Sequence, residues 1–130
     1  MALMTFREPN QARWQGVRPG HRGTQVTKSG EASNATVVVY TVTAGKVFYL
    51  THYTASAFLS VNGDCVFFVT NAIDVVKYDL TKLTFRPLYG SPVVSGSFNP
   101  PLEIAAGWKI KVLSAAVNCY AHLFINGWEE

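Results

Sequence analysis

PPLEIAAGWKIKVLSAAVNCYAHLFINGW, which occupies residues 100–128, contains the clearest strand signal in the chain. Two runs of alternating apolar and polar residues, 108–113 and 117–125, flank the short segment Ser-Ala-Ala. Because successive side chains of a β-strand point to opposite faces, each run predicts a strand with one face in the core. The short separation between the runs predicts that the two strands pair as an antiparallel hairpin.

The two faces of each predicted strand differ in character. In the first run the core face carries Trp108, Ile110 and Val112, and the opposite face, with Lys109 and Lys111, is predicted to face solvent. In the second run the predicted core face carries Val117, Cys119, Ala121, Leu123 and Ile125. Its reverse carries Asn118, Tyr120, His122 and Phe124. That reverse face is more aromatic than an ordinary solvated surface, so we predict that Tyr120, His122 and Phe124 contact a partner subunit.

Composition favours one folded domain that belongs to an assembly. The chain has 130 residues, of which 48% are hydrophobic, 13% aromatic and only 15% charged. A chain of this length buries enough surface to fold without disulfides or a metal ion. The low charge content is typical of a protein whose surface is partly covered by other subunits.

The net charge is confined to the N-terminal segment. Residues 1–35 hold five Arg or Lys residues against two Glu, a net charge of +3, whereas six basic and six acidic residues cancel in residues 36–130. Residues 1–35 also lack hydrophobic periodicity and contain repeated glycines, which predicts an extended basic arm. The residues of this arm expected to contact other subunits are Arg7, Arg13, Trp14, Arg18 and Arg22. A disordered tail is the alternative, and the charge is too small to favour nucleic acid as the partner.

Strand signals follow almost without a break after residue 35. Runs 36–43 and 46–54 are joined by Ala-Gly, and runs 58–61 and 65–70 are joined by Asn-Gly, so each pair predicts a hairpin. Further runs are predicted at 74–80, 82–88 and 93–98, before Pro100-Pro101 interrupts pairing. No helical period is present, so residues 36–130 predict an all-β domain of eight or nine strands, either a two-sheet sandwich or a small barrel.

One short pattern occurs twice. Ala44-Gly45 and Ala106-Gly107 each precede an apolar strand run. Two similar turn-to-strand units far apart in sequence are compatible with the two Greek keys of a jelly roll.

The sequence offers little for catalysis or metal binding. Of the few carboxylates in the body, Asp64 and Glu103 lie next to predicted turns and are expected to be solvated, so no catalytic pair of carboxylates is predicted. No His-x-His pair suggests a metal site. Cys65 and Cys119 lie within apolar strand runs and are predicted to be buried free thiols, with a disulfide between them as the less favoured alternative. Since His122 lies three positions after Cys119, an odd spacing, the two side chains should lie on opposite faces of a strand. We therefore predict no enzyme activity, no cofactor and no metal.

No targeting or membrane segment is evident either. The N-terminus lacks the apolar region of a signal peptide, and no apolar run is long enough for a transmembrane helix.

Three segments together, TVTAGKVFYL, SFNPPLEIAAGWKIKV and the final INGWEE, resemble the small jelly-roll proteins that tailed bacteriophages carry on their virions, such as capsid decoration or cement proteins. The resemblance covers residues 36–130. It implies a jelly-roll β-sandwich of about eight strands, a homotrimer, and an N-terminal arm that reaches the major capsid protein or other virion proteins. It also implies a location in the virion, after assembly in the host cytoplasm, and no catalytic residues.

Two other functions remain open from the sequence. A phage tail or connector component would have the same features. A carbohydrate-binding module could use aromatic strand residues to bind a glycan, and the residues considered for that platform are Tyr40, Tyr49, Tyr53, Trp108 and Tyr120. A secreted trimeric ligand is disfavoured by the missing signal peptide.

Overall fold

A computed structural model describes residues 23–59, 63–85 and 92–130. These residues form eight β-strands and no helix. The strands are β1 (Thr24–Ser33), β2 (Ala35–Thr41), β3 (Phe48–Leu59), β4 (Gly63–Thr70), β5 (Val76–Phe85), β6 (Val93–Ile104), β7 (Lys109–Ser114) and β8 (Cys119–Glu129).

The strands form two four-stranded antiparallel sheets that pack face to face. Sheet 1 has the order β1-β8-β3-β6, and sheet 2 has the order β2-β7-β4-β5. The pairing is nested, because β1 pairs with β8, β2 with β7, β3 with β6, and β4 with β5. The prediction of an all-β, two-sheet sandwich is confirmed.

The three hairpins predicted from sequence are wrong. The structure places β2 and β3 in different sheets, and the same holds for β3 and β4 and for β7 and β8. The chain therefore crosses between the sheets at the Ala-Gly turn, between the end of β3 at Leu59 and the start of β4 at Gly63, and after Ser114. A tight turn between two apolar runs suits a corner between sheets as well as a hairpin, so the local pattern could not separate the two.

The inner faces of the two sheets form one core. Its largest fully buried side chains are Phe48, Leu50, Phe67, Ile104, Ile110, Leu123 and Ile125. Burial of each such side chain contributes about 1.5–3 kcal/mol. The predicted core faces of β7 and β8 are confirmed by buried Ile110, Val112, Cys119, Ala121, Leu123 and Ile125. Two residues of the predicted core faces are not fully buried: Trp108 precedes β7 and is only partly buried against the core, and Val117 is 61% exposed in the turn before β8.

Strand β1 lies within the range that the sequence assigned to the arm, 1–35. It pairs with β8 along its whole length, from Thr24 opposite Glu129 to Ser33 opposite Tyr120. Only Val26 and Ala32 of this strand are buried. Strands were predicted from alternating apolar and polar residues, and this polar edge strand lacks that pattern. The sequence therefore assigned it to the arm. Residues 1–22, the rest of the predicted arm, lie outside the described residues.

The two Ala-Gly turns adopt the same conformation and lie side by side. Gly45 and Gly107 both have a φ of +78°, a conformation that glycine adopts without strain. The amide of Val42 donates to the carbonyl of Trp108 at 2.9 Å, and the amide of Gly107 donates to the carbonyl of Val42 at 3.0 Å. The repeated sequence pattern thus marks two adjacent turns at one end of the sandwich.

Three predicted strand boundaries also change. The separate runs 46–54 and 58–61 both overlap the single strand β3. Runs 74–80 and 82–88 correspond to the single strand β5. Strand β6 continues through Pro100-Pro101 to Ile104, but its register against β3 shifts between Ser97 and Leu102. The prolines therefore interrupt the pairing without ending the strand.

Candidate interaction face

The outward-facing side chains of sheet 1 form a continuous surface, which we call the sheet 1 outer face. Residues directly opposite each other on neighbouring strands share a face, so the registers define its rows. One row runs Glu31, His122, Ser56, Val93, and the next runs Ser29, Phe124, Thr54, Ser95. The face thus extends over all four strands of the sheet.

The three predicted contact residues lie together on this face. Tyr120, His122 and Phe124 project outward from β8, the second strand of sheet 1, and each is at least partly exposed. On β3, Phe58 lies directly opposite Tyr120, and the two rings are 6.3 Å apart. The Phe58 side chain is 67% exposed and that of Tyr120 is 37% exposed. Two adjacent exposed aromatic rings are unusual on a surface that meets only water.

Hydroxyl and imidazole groups lie beside Tyr120, His122 and Phe124, on the side of the face formed by β3 and β6. The His52 Nδ1 lies 3.1 Å from the Ser97 hydroxyl, and its Nε2 lies 3.3 Å from the Thr54 hydroxyl. The Thr54 hydroxyl also lies 3.2 Å from that of Ser95. These groups can donate or accept hydrogen bonds without carrying a fixed charge.

The far end of the face holds a stacked aromatic pair. Tyr49 and Trp128 lie opposite each other on β3 and β8, with ring centroids 5.1 Å apart and planes 18° apart. Between this pair and Phe124, the Asn126 side chain accepts a hydrogen bond of 2.5 Å from Gln25.

Charge is nearly absent from this face. The outward positions of the two central strands, β3 and β8, carry no Lys, Arg, Asp or Glu. The paired positions of the edge strands supply two carboxylates, Glu31 on β1 and Glu103 on β6. The centre of the face therefore carries aromatic rings without charged groups, and these two features are typical of interface cores. Hydroxyl and imidazole groups lie beside the rings.

Sheet 2 presents a different outer surface, with ion pairs. Lys82 lies 3.8 Å from Asp64, and Asp74 accepts hydrogen bonds from Lys109 at 3.0 Å and Lys111 at 2.7 Å. Both lysines act to lower the pKa of the Asp74 carboxyl below its ordinary value, with Lys111 the larger influence. The prediction that Lys111 faces solvent is wrong, because its side chain is only 11% exposed.

The loop of residues 71–75 explains the burial of Lys111. The Asn71 side chain accepts hydrogen bonds of 3.0 Å from the amides of Ile73 and Val75. This arrangement holds Asp74 over β7, and it leaves Ile73 78% exposed at the tip of the loop. A local strand pattern contains no information about a loop that folds over the strand from elsewhere.

The two thiols are brought together inside the sandwich. Cys65 on β4 and Cys119 on β8 are both fully buried free cysteines, as predicted, and their sulfur atoms are 3.4 Å apart. Burial and the neighbouring thiol raise the pKa of Cys65 to about 12. His122 points away from Cys119, to the outer face, so the expected separation of these two side chains is confirmed.

The aromatic residues considered for a glycan platform do not share one surface. Tyr53 is buried, and Tyr40 donates a hydrogen bond to Glu129. Trp108 contacts Tyr78 near sheet 2. Of the five residues, Tyr49 and Tyr120 lie on the sheet 1 outer face, where sequence reasoning missed their neighbours Phe58, His52 and Trp128. The alternation in residues 52–58 contained the signal for His52 and Phe58, but it could be used only once β3 was known to lie beside β8.

Other predicted features lie elsewhere or outside the described part of the chain. Arg7, Arg13, Trp14, Arg18 and Arg22 all fall outside the described residues. In residues 23–59, 63–85 and 92–130, no group of three or more His, Cys, Asp or Glu side chains could hold a metal ion. The same residues contain no helix of the length and apolar character needed to cross a membrane.

Comparison of the chain with models of known protein families gives no match, and comparison with curated proteins gives none either.

Proposed function

We propose that this chain is a non-enzymatic structural protein that associates with copies of itself through the sheet 1 outer face. The observation that carries the proposal is the contrast between the two sheets. Sheet 1 presents exposed aromatic rings and hydroxyl groups on uncharged central strands. The central strands of sheet 2 carry Asp64, Lys109 and Lys111, and its edge strands expose single apolar side chains such as Val38 and Val76. A surface of the first kind is stabilised when it is covered by protein.

The proposed occupant of the face is a second copy of the chain. In a symmetric assembly, residues near the symmetry axis meet their own counterparts, so any charge there would repel its copy. The absence of charged residues from the outward positions of β3 and β8 removes this repulsion. Histidine and hydroxyl groups can both donate and accept hydrogen bonds, which suits contact between identical surfaces.

The size of the face is adequate for a stable contact. Four strands at about 4.8 Å spacing and about ten residues at 3.3 Å each give roughly 600 Å². Two faces in contact would then bury about 1,200 Å², which is the lower limit of standard protein interfaces. Three copies that bring this face together around a threefold axis would bury about 1,800 Å² in total.

The wider role that we propose is that of a capsid decoration or cement protein of a virion, assembled in the host cytoplasm. It rests on the resemblance of residues 36–130 to small jelly-roll virion proteins. The nested pairing, from β1 with β8 inward to β4 with β5, supports the interpretation of the sandwich as a jelly roll. In this proposal the protein is a trimer, and Arg7, Arg13, Trp14, Arg18 and Arg22 bind the major capsid protein or another virion protein. A tail or connector position is the close alternative within the virion.

A charge placed at the centre of the face tests self-association. Ser56 lies between His122 and Val93, so the variant Ser56→Lys introduces an ammonium group where copies would meet. We expect this variant to be monomeric at concentrations where the wild-type protein is oligomeric, as measured by analytical ultracentrifugation. Thr84→Lys is the matched control, because it adds the same charge at an exposed position of β5 in sheet 2. Equal oligomerisation of Ser56→Lys and wild type would contradict the proposal.

The arm is tested separately by deletion of residues 1–22. The deletion stops before Thr24 because β1 is part of sheet 1. We expect the truncated protein to retain its oligomeric state and to lose attachment to the virion. Unchanged attachment would contradict the role of the arm.

A glycan-binding module is the second candidate function, and the 67% exposed ring of Phe58 beside Tyr120 is the observation that favours it. Aromatic rings on an exposed sheet can stack on sugar rings. Binding to a glycan array that is lost in Phe58→Ala and retained in Thr84→Lys would support this candidate over self-association.

A further inference from the structure

The buried thiols of Cys65 and Cys119 contact each other between the two sheets. Cys65 belongs to β4 in sheet 2 and Cys119 to β8 in sheet 1, and 54 positions separate them in sequence. Their sulfur atoms lie 3.4 Å apart in the core, and both side chains are fully buried. Buried cysteines are common as small apolar residues, but two facing thiols from different sheets are a specific arrangement.

We propose that Cys65 and Cys119 form an intramolecular disulfide that joins the two sheets when the protein meets a low-molecular-weight disulfide in oxidising surroundings. The Cys119 thiol loses its proton to solvent and attacks one sulfur of the disulfide, which releases one thiolate and forms a mixed disulfide. The Cys65 thiol then loses its proton and attacks the Cys119 sulfur, which releases the second thiolate. Both released thiolates take up protons, so the protein loses two protons and two electrons and the oxidant is reduced to two thiols.

The assignment of Cys119 as the first nucleophile follows from its position. It is the first residue of β8 and directly follows the turn of residues 115–118, in which Val117 is 61% exposed. Fraying of the start of a strand needs less free energy than opening of a strand interior. Cys65 lies inside β4, and burial raises its pKa to about 12, so it suits the second step, in which the sulfur partner is already adjacent.

The disulfide would act mainly on the unfolded chain. A bond between residues 54 positions apart restricts the unfolded ensemble, and by the usual loop-entropy relation this restriction stabilises the folded state. The reduced protein is already folded with both thiols in contact, so the bond needs only a small side-chain movement. The protein would thus fold in a reducing compartment and become more stable after transfer to an oxidising one.

The test uses the full-length, folded protein. Reduced wild-type protein is incubated under native conditions with 2-hydroxyethyl disulfide, and free thiols are then counted in denaturant while tryptic peptides are analysed by mass spectrometry. We expect both thiols to disappear, with a Cys65–Cys119 cross-linked peptide and a chain that remains monomeric in non-reducing denaturing gels. The melting temperature should rise by roughly 5–15 °C and return to its original value after reduction.

Two single variants serve as controls. Cys65→Ser and Cys119→Ser should show no increase in melting temperature with the same oxidant, and Cys119→Ser should react more slowly with it than Cys65→Ser. The wild-type outcome decides the matter even if a variant folds poorly. Two thiols that stay free after prolonged incubation, disulfides between chains, or a lower melting temperature after oxidation would each overturn the proposal.

Discussion

The hydroxyl of Tyr40 on β2 donates a hydrogen bond of 2.5 Å to the Glu129 carboxylate at the end of β8, so one contact links the two sheets. The amide of Thr43 donates to the same oxygen at 3.0 Å. Glu129 is only 7% exposed, and the adjacent Glu130 exchanges backbone hydrogen bonds with Val47. The last residues of the chain are therefore fixed to the β2–β3 turn.

This contact predicts a loss of stability in acid. Burial acts to raise the pKa of Glu129, but the hydrogen bonds from Tyr40 and Thr43 overcome it and hold the pKa below its ordinary value of 4.5. A carboxyl group with a lowered pKa stabilises the fold above its unfolded-state pKa, and this contribution is lost as the pH falls through its folded-state pKa. We expect the free energy of unfolding, measured with urea between pH 3 and pH 7, to decrease as the pH is lowered below about 4.5.

The variant Glu129→Gln should isolate this effect. At pH 7 its free energy of unfolding, measured with urea, should be about 1–3 kcal/mol lower than that of wild type. Its stability should also depend less on pH. Asp74 also has a lowered pKa and contributes with the same sign, so the difference between the two proteins is the relevant quantity. Glu130→Gln, at an exposed position, is the control. An unchanged pH profile in Glu129→Gln would contradict this account of the contact.

Close packing of β8 against β3 predicts that Gly127 cannot be replaced. A Cβ atom at Gly127 would lie 2.1 Å from the carbonyl oxygen of Tyr49, so the backbone of one strand would have to move. We expect Gly127→Ala to destabilise the fold by about 3 kcal/mol or more. The control is Gly45→Ala, where a Cβ atom meets nothing within 4 Å and only the positive φ is unfavourable. Its cost should be about 1–2 kcal/mol, so similar losses in the two variants would contradict the packing argument.

Tyr53 joins the two sheets on the side of the sandwich where their edge strands, β6 and β5, lie. Its hydroxyl extends from β3 in sheet 1 and donates a hydrogen bond of 3.1 Å to the carbonyl of Leu80 on β5. Its ring covers Gly96 on β6, where a Cβ atom would lie 2.4 Å from the ring. Tyr53→Phe should keep the ring packing and lose about 1 kcal/mol of stability in thermal or urea unfolding. Tyr78→Phe, at a ring that is 37% exposed, should change stability by less than about 0.5 kcal/mol.

The faces of each strand are determined by local sequence, whereas the pairing of the strands is not. The alternation in residues 119–125 predicted both the buried face of β8 and the outward position of Tyr120, His122 and Phe124, because strand geometry alone determines which side chains share a face. The partners of β8 could not be predicted, since β1 and β3 come from distant parts of the chain. Phe58 and His52 joined the candidate face only through that pairing.

Two further features depended on long-range contacts. Strand β1 has a mostly polar sequence and owes its place in the sheet to ten paired positions along β8. Lys111 alternates like a solvent-exposed residue, yet the loop that carries Asp74 covers it. In both cases the deciding interaction comes from a segment more than thirty residues away.

The mass of the wild-type protein in solution tests the central claim most directly. Sedimentation equilibrium at micromolar concentration, in reducing buffer, measures that mass without reference to shape. Self-association through the sheet 1 outer face predicts an oligomer, with a trimer at three times the chain mass of 14.3 kDa as the expected species. A single species of 14.3 kDa over the whole concentration range would contradict it.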